Sequence, residues 1–69
     1  AGIDGLSEIK KLILKSKKLL KINGKLIFEI GIKQLKLIMI FLNKNGFYTN
    51  KICKDIYSNP RVIIATKIF

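Results

Sequence analysis

Apolar residues recur at helical spacing in the first third of the chain. Those that follow this spacing between residues 6 and 21 are Leu6, Ile9, Leu12, Ile13, Leu19 and Leu20. Lysines occupy most of the other positions, so the pattern predicts an amphipathic helix with these apolar residues facing the core. Asp4 is expected to cap its start, and Glu8 favours its positive end. Asn23-Gly24 is expected to end it, because both residues tolerate positive φ.

The next two apolar segments predict a strand and a second helix. Residues 25–30 (KLIFEI) are typical of a short, mostly buried strand that ends at Gly31. Residues 33–45 (KQLKLIMIFLNKN) predict a helix that is apolar on more than one side and is closed by Gly46. A helix with so wide an apolar surface usually packs between layers.

Two further strands are predicted at residues 48–55 and 61–68. The connection between them is too short for a crossover helix, so the two strands should be antiparallel neighbours. The last strand has an unbroken apolar run from Val62 to Ala65, which favours a central position buried on both faces. The strand before it carries Lys51 and Lys54, which suit an edge. The predicted fold is α/β in the order α-β-α-β-β, with the last strand antiparallel and central.

Composition limits the chemistry that the chain can perform. Its 69 residues are 49% hydrophobic, with a mean hydropathy of +0.30, which argues against intrinsic disorder. There is no His and one Cys, which excludes a disulfide framework, a His/Cys metal cage and His-based acid–base catalysis within these residues. No metal-binding residues are therefore predicted.

The net charge of +10 is weaker evidence for an acidic partner than the magnitude of the charge suggests. Thirteen of the fourteen basic residues are Lys and only Arg61 is Arg. Arg is the residue that matches phosphate bidentately, so a generic lysine-rich surface is favoured over a dedicated nucleic-acid site. No run approaches the ~20 apolar residues of a membrane span, and no signal peptide is visible. With the lone Cys53, these features favour a cytoplasmic location without a membrane partner.

Several short motifs together resemble one enzyme family. They are Gly2-Ile3-Asp4-Gly5-Leu6, residues 20–31 (LKINGKLIFEIG) with Gln34 three residues later, Gly46-Phe47, Lys54-Asp55-Ile56 and Arg61-Val62-Ile63. In this order and spacing the chain resembles the C-terminal end of the peptide chain release factor glutamine N(5)-methyltransferases, which are class I S-adenosylmethionine-dependent methyltransferases. One departure is Ser58, which stands with Pro60 in a loop where the family usually carries a Gly; a rigidified turn is expected there.

The resemblance implies a Rossmann-like sheet of which residues 1–69 are a single C-terminal subdomain. Members of the family bind their cofactor through a glycine-rich loop and orient the substrate glutamine with an Asn-Pro-Pro-Tyr motif, and neither occurs in these 69 residues. The complete enzyme would methylate a release factor with S-adenosylmethionine. This chain alone would be inactive, would bind no cofactor, and would have the upstream part of the same methyltransferase as its partner.

The resemblance also implies roles for particular residues. No catalytic or cofactor-binding residue is expected here. The motif residues expected to be structural are Gly2, Asp4, Gly5, Glu29, Gly31, Gln34, Asp55 and Arg61.

Other roles remain open for some of these residues. Asp4 and Glu29 could line the rim of a site, because open α/β sheets bind ligands at the carboxyl ends of their strands, but capping and backbone contacts are favoured. Gln34 could approach a ligand, but a capping interaction is favoured. Cys53 could be a reactive thiol, but a buried strand cysteine is favoured.

Two functions from different classes follow. The leading hypothesis is a segment of a protein-glutamine methyltransferase that completes the sheet beneath the active site. The alternative is a small basic nucleic-acid-binding module, in which the lysines of the first helix form the electrostatic surface. Those lysines are Lys10, Lys11, Lys15, Lys17, Lys18 and Lys21.

Overall fold

The computed structural model describes residues 6–31 and 33–69 of the chain. Its elements are helix α1 (Leu6–Leu19), strand β1 (Lys25–Glu29), helix α2 (Leu35–Lys44), strand β2 (Phe47–Lys54) and strand β3 (Pro60–Lys67). Each element begins and ends within two residues of its predicted bounds. The chain is therefore an α/β unit with two helices and three strands.

The sheet is organised around its last strand. β3 lies between the other two in the order β1-β3-β2 and is antiparallel to both, so β1 and β2 run parallel to each other. Ile63 of β3 is paired with Phe28 of β1 on one side and with Ile52 of β2 on the other. Because β1 and β2 run in the same direction, both of these strands end at the same edge of the sheet, and α2 connects the end of β1 to the start of β2.

The core lies on one face of this sheet. The buried apolar side chains are Ile13, Leu26, Phe28, Ile30, Ile38, Leu42, Phe47, Ile63 and Ala65. Both helices contribute to this cluster, and Ile13 of α1 and Ile38 of α2 are fully buried. The ammonium of Lys10 also lies 5.4 Å from the centre of the Phe41 ring, which adds a cation–π contact between the helices.

The second face of the sheet is more open than the sequence predicted. β1 was expected to be mostly buried, but its residues alternate, and Ile27 is 62% exposed. β3 was expected to be buried on both faces, yet Val62 and Ile64 are only half-buried. Among residues 6–31 and 33–69, both helices pack on the other face, so nothing described covers this one.

The helices are also less enclosed than predicted. Leu12 and Leu19 were expected on the core face of α1, but they are 40% and 72% exposed. Ile13 points into the core, and at 100° per residue both leucines lie well away from that direction. On α2, Leu37 and Ile40 are about half exposed, so the helix packs on one side only.

The two chain reversals that follow the helices each contain a residue with positive φ. Asn23 has φ 75° and Gly46 has φ 81°, at the chain reversals after α1 and α2. A Cβ at Gly46 would lie 2.6 Å from the carbonyl oxygen of Phe69, so this position requires glycine for space as well as for φ. Both reversals hold the end of β3, because Asn23 donates to the Lys67 carbonyl and Ile68 donates to that of Gly46.

Ser58, the departure noted in the sequence, is the second non-glycine residue with positive φ. Its φ is 65°, in the left-handed region where a Cβ is unfavourable. The loop nevertheless closes through hydrogen bonds from Ser58 N–H to the Asp55 carbonyl and from Asp55 N–H to the Asn59 carbonyl. The backbone of this turn therefore has the conformation that glycine favours, with a serine in its place.

Replacing Ser58 with Gly should stabilise the fold. The left-handed conformation costs a residue with a Cβ about 1 kcal/mol, and glycine avoids this cost. Glycine also has greater conformational freedom in the unfolded chain, which offsets part of the gain in stability. We expect an increase of about 0.5 kcal/mol in the free energy of unfolding, measured by urea denaturation. Ser58→Ala is the matched control and should give no increase; equal effects from both substitutions would contradict the explanation.

Candidate functional site

The carboxyl ends of the parallel strands bring together most of the motif residues that the structure describes. β1 ends at Glu29 and β2 ends one residue before Asp55, while Arg61 lies at the start of β3. The Ile30 N–H donates to the Arg61 carbonyl at 2.8 Å, which joins the end of β1 to the start of β3. Ligands of open α/β sheets bind at such an edge. This edge is therefore the candidate functional site.

Asp55 is the most heavily bonded side chain at this edge. One carboxylate oxygen accepts hydrogen bonds from the backbone N–H groups of Tyr57 at 2.8 Å and Asn59 at 3.0 Å. The other accepts from Nε of Arg61 at 2.9 Å, which is also an ion pair. Hydrogen bonds lower the pKa of Asp55 below its ordinary value of 3.8. The largest contribution comes from the N–H of Asn59, and Arg61 and the N–H of Tyr57 contribute as well. The carboxylate thus holds the β2–β3 loop and orients Arg61.

Gln34 closes the connection between β1 and α2. Its side-chain oxygen accepts a hydrogen bond from the Gly31 N–H at 2.7 Å. A Cβ at Gly31 would lie 3.1 Å from the Gln34 amide, tighter than ordinary van der Waals contact. The approach of the amide to the backbone therefore favours glycine at residue 31, and the oxygen of Gln34 is engaged within the loop.

Glu29 and Cys53 flank the same residue of the central strand. Val62 is paired with Glu29 in β1 and with Cys53 in β2, so the three side chains lie in a row on the open face. Glu29 is exposed, and Cys53 is a half-buried free thiol. Gly2, Asp4 and Gly5 lie outside the described residues.

The edge offers little chemistry of its own. Within residues 6–31 and 33–69, every buried side-chain nitrogen or oxygen has a hydrogen-bond partner, and no group of His, Cys, Asp or Glu could hold a metal ion. The oxygens of Asp55 and Gln34 are already bonded to the protein. The side chains of Asp55 and Gln34 are therefore engaged in holding the loops of this edge.

Two lysine contacts were not anticipated from the sequence. Lys67 Nζ donates to the carbonyls of Lys17 and Leu20 at the end of α1, the latter at 2.7 Å. Lys25 Nζ donates to Thr66 Oγ1 at 2.7 Å, and Thr66 in turn bonds the Asn50 side chain, so a polar chain crosses all three strands. The partners of each lysine are more than forty residues away, so no local pattern could reveal them. In the described part of the chain, neither helix is long and apolar enough to cross a membrane.

Curated proteins similar to this chain are methyltransferases by name. A bifunctional methyltransferase of Rickettsia felis is 35% identical over 65 residues, which cover 94% of this chain and 12% of that protein. A release factor glutamine methyltransferase of Fusobacterium nucleatum is 42% identical over 64 residues, 93% of this chain and 18% of that protein. A bifunctional methyltransferase of Rickettsia typhi is 43% identical over 66 residues, 94% of this chain and 12% of that protein. These relatives define the class as methyltransferases.

The family indicated by the motif residues is thereby confirmed. The chain belongs to the release factor glutamine methyltransferase family and matches a C-terminal segment of it. It spans less than a fifth of the length of the curated relatives that it matches. No protein-family model and no solved structure matches the chain.

The Asp55 clamp should make stability depend on pH. Because the folded pKa lies below the unfolded one, the carboxylate contributes stability above the unfolded value, and this contribution is lost as the pH falls through the folded value. Asp55→Asn should therefore lower the urea midpoint near neutral pH, and the difference from the unsubstituted chain should shrink in acid. Glu29→Gln removes the same charge from an exposed strand position and should show a smaller effect. A deficit in Asp55→Asn that is independent of pH would contradict the ionic role.

Proposed function

We propose that residues 1–69 form the C-terminal subdomain of a cytoplasmic enzyme that methylates a glutamine side-chain amide of a peptide chain release factor, with S-adenosylmethionine as the methyl donor. The observation that carries the proposal is the 42% identity, over 93% of this chain, to a protein named release factor glutamine methyltransferase. The agreement extends from helix α1 through all three strands. The function is therefore assigned to the complete enzyme.

The part played by this subdomain is to complete a Rossmann-like class I sheet. Its open face supports this role, because Ile27 and Tyr48 are 62% and 59% exposed there, a large apolar exposure for so small a unit. The segment that precedes these residues in the complete enzyme would cover this face. It would also supply the cofactor loop and the catalytic motif, so that this chain alone neither binds the cofactor nor transfers a methyl group.

The two edges of the sheet differ in a way that supports a partner at β1. The pairing of β2 with β3 shifts register twice, and β2 carries the exposed lysines Lys51 and Lys54, features that discourage a further strand. The pairing of β1 with β3 has no register shift. β1 is therefore the edge at which a strand from the preceding segment would add.

A rigid sheet suits the chemistry of this reaction. An amide nitrogen is a poor nucleophile, because its lone pair is delocalised into the carbonyl. The reaction therefore depends on holding the amide in line with the methyl donor and on placing polar groups around it. The Asp55–Arg61 clamp and the Gly31–Gln34 closure stabilise the loops at the carboxyl edge, on which the catalytic segment would rest. Motif residues Gly31, Gln34, Asp55 and Arg61 would thus act structurally.

The alternative function is a small basic nucleic-acid-binding module that takes no part in methyl transfer. The net charge of +10 is the observation that favours it. Loss of all methyltransferase activity from the complete protein, together with tight salt-dependent binding of nucleic acid by this chain alone, would favour the alternative.

The complete protein should methylate a release factor. Incubation with isotopically labelled S-adenosylmethionine and a purified release factor should place the label on one glutamine, located by mass spectrometry of the peptides. A release factor with Asn at that glutamine is the matched control and should remain unlabelled. The 69-residue chain alone should transfer no label. Labelling of a different protein class, or activity of the chain alone, would contradict the assignment.

Ile27 should matter in opposite ways to the isolated chain and to the complete enzyme. In isolation the open edge and face should cause self-association, and supplying the preceding segment should abolish it. Ile27→Lys should reduce the self-association of the isolated chain, measured by sedimentation velocity, and should lower the thermal stability of the complete enzyme. Ile56→Lys, at a loop position that is 90% exposed, is the matched control and should change neither. A compact monomer with a cooperative melt for the unsubstituted chain would contradict the proposal.

A further inference from the structure

The outer side of α1 carries three lysines at helical spacing. Lys11, Lys15 and Lys18 are exposed and project away from Ile13, the residue that anchors the helix in the core. At positions i, i+4 and i+7 they lie along one side of the helix, over about 10 Å of its length. We refer to these three residues as the basic ridge.

Acidic side chains neutralise little of this ridge. Glu8 lies 3.6 Å from Lys11, an exposed pair of the kind that contributes weakly. Asp55 is engaged with Arg61 at the carboxyl edge of the sheet. Among residues 6–31 and 33–69 these are the two ion pairs, so Lys15 and Lys18 have no acidic partner there.

The C-terminal end of α1 is positive as well. A helix end normally presents carbonyl oxygens and a partial negative charge. Here Lys67 Nζ donates to two of those carbonyls, from Lys17 and Leu20. The end that would attract cations is thus occupied by an ammonium group from β3.

The geometry suits phosphate better than it suits a lipid surface. A helix that binds a membrane inserts its apolar side, but Ile13 and Ile9 of α1 pack in the core, which leaves Leu12, Leu14 and Leu19 as the exposed apolar residues of the helix. Lysine is a compact charge that binds phosphate without the planar matching of arginine. The ridge also has no aromatic side chain on which a base could stack. Its contacts would be made to a backbone of phosphates, without sequence preference.

We propose that the basic ridge is a docking surface for the phosphate backbone of RNA. The choice of RNA over DNA rests on the proposed function, because the proposed substrate is a peptide chain release factor, a protein of translation. Binding through three lysines at exposed positions is electrostatic, and it weakens steeply as salt displaces the released counterions. The ridge raises the local concentration of the enzyme near its RNA-associated substrate and takes no part in methyl transfer.

The test measures binding of the complete protein to a fluorescein-labelled RNA duplex by anisotropy, as a function of salt. The ridge variant carries Lys11→Glu, Lys15→Glu and Lys18→Glu, and a milder variant carries Gln at the same positions. The matched control carries Lys36→Glu, Lys51→Glu and Lys54→Glu, which are exposed lysines on α2 and β2. Both Glu variants lower the net charge of these residues from +10 to +4 (10 − 6). A DNA duplex and vesicles with anionic lipid serve as further probes.

The ridge variant should bind RNA at least about tenfold more weakly at low salt, and the slope of log affinity against log salt should fall by about 2. The Gln variant should show a smaller loss of the same kind, and the control should keep the slope of the unsubstituted protein. Equal losses in the ridge and control variants would show that total charge is responsible and would overturn the proposal. The proposal would also be overturned if the protein did not bind RNA, or if it bound the DNA duplex more tightly than the RNA duplex. It would likewise be overturned if the ridge substitutions weakened binding to vesicles and left binding to RNA unchanged. Methyl transfer to an isolated release factor, measured separately, should be unchanged in the ridge variant, so failure of the RNA proposal is distinct from failure of the enzymatic assignment.

Discussion

β3 pairs with β1 on one side and β2 on the other, and the remaining contacts depend on this double pairing. It places Ile63 and Ala65 under both helices, where they form the centre of the core. It brings the start of β3, with Arg61, between the carboxyl ends of β1 and β2. Its far end carries Lys67 to the last turn of α1. Without β3 the two parallel strands would lose the strand to which both are hydrogen-bonded, and the helices would lose the centre of the surface on which they pack.

The unit has one well-formed core and one open face. A chain of this size buries only about 60% of the surface that its unfolded form exposes, so it cannot cover both sides of a sheet. The exposed Ile27 and Tyr48, and the regular outer edge of β1, are the consequence. This arrangement agrees with the comparisons, in which the chain covers a small share of each longer methyltransferase. The open face and the regular edge of β1 support the proposal that these residues form part of a larger sheet.

The polar groups divide into two regions with different character. At the carboxyl edge, Asp55, Arg61 and Gln34 are bonded within their own loops and hold those loops in place. On α1, Lys11, Lys15 and Lys18 are exposed and have few acidic neighbours. The first region supports the proposal that these motif residues act structurally. The second provides a charged surface that the proposed enzymatic role does not require.

The helices, the strands and the family could all be predicted from the order of residues along the chain. Periodicity located each helix and strand to within two residues, because it reflects local geometry, and the turn at Gly46 follows from a φ that glycine adopts freely. The motif residues indicated the methyltransferase family because a motif is defined by residue types and their order along the chain. Tertiary structure alone decided the exposure of Ile27 and Leu19 and the contact between Lys67 and α1. An apolar residue is buried only if another element covers it, and that depends on pairings between residues far apart in the chain.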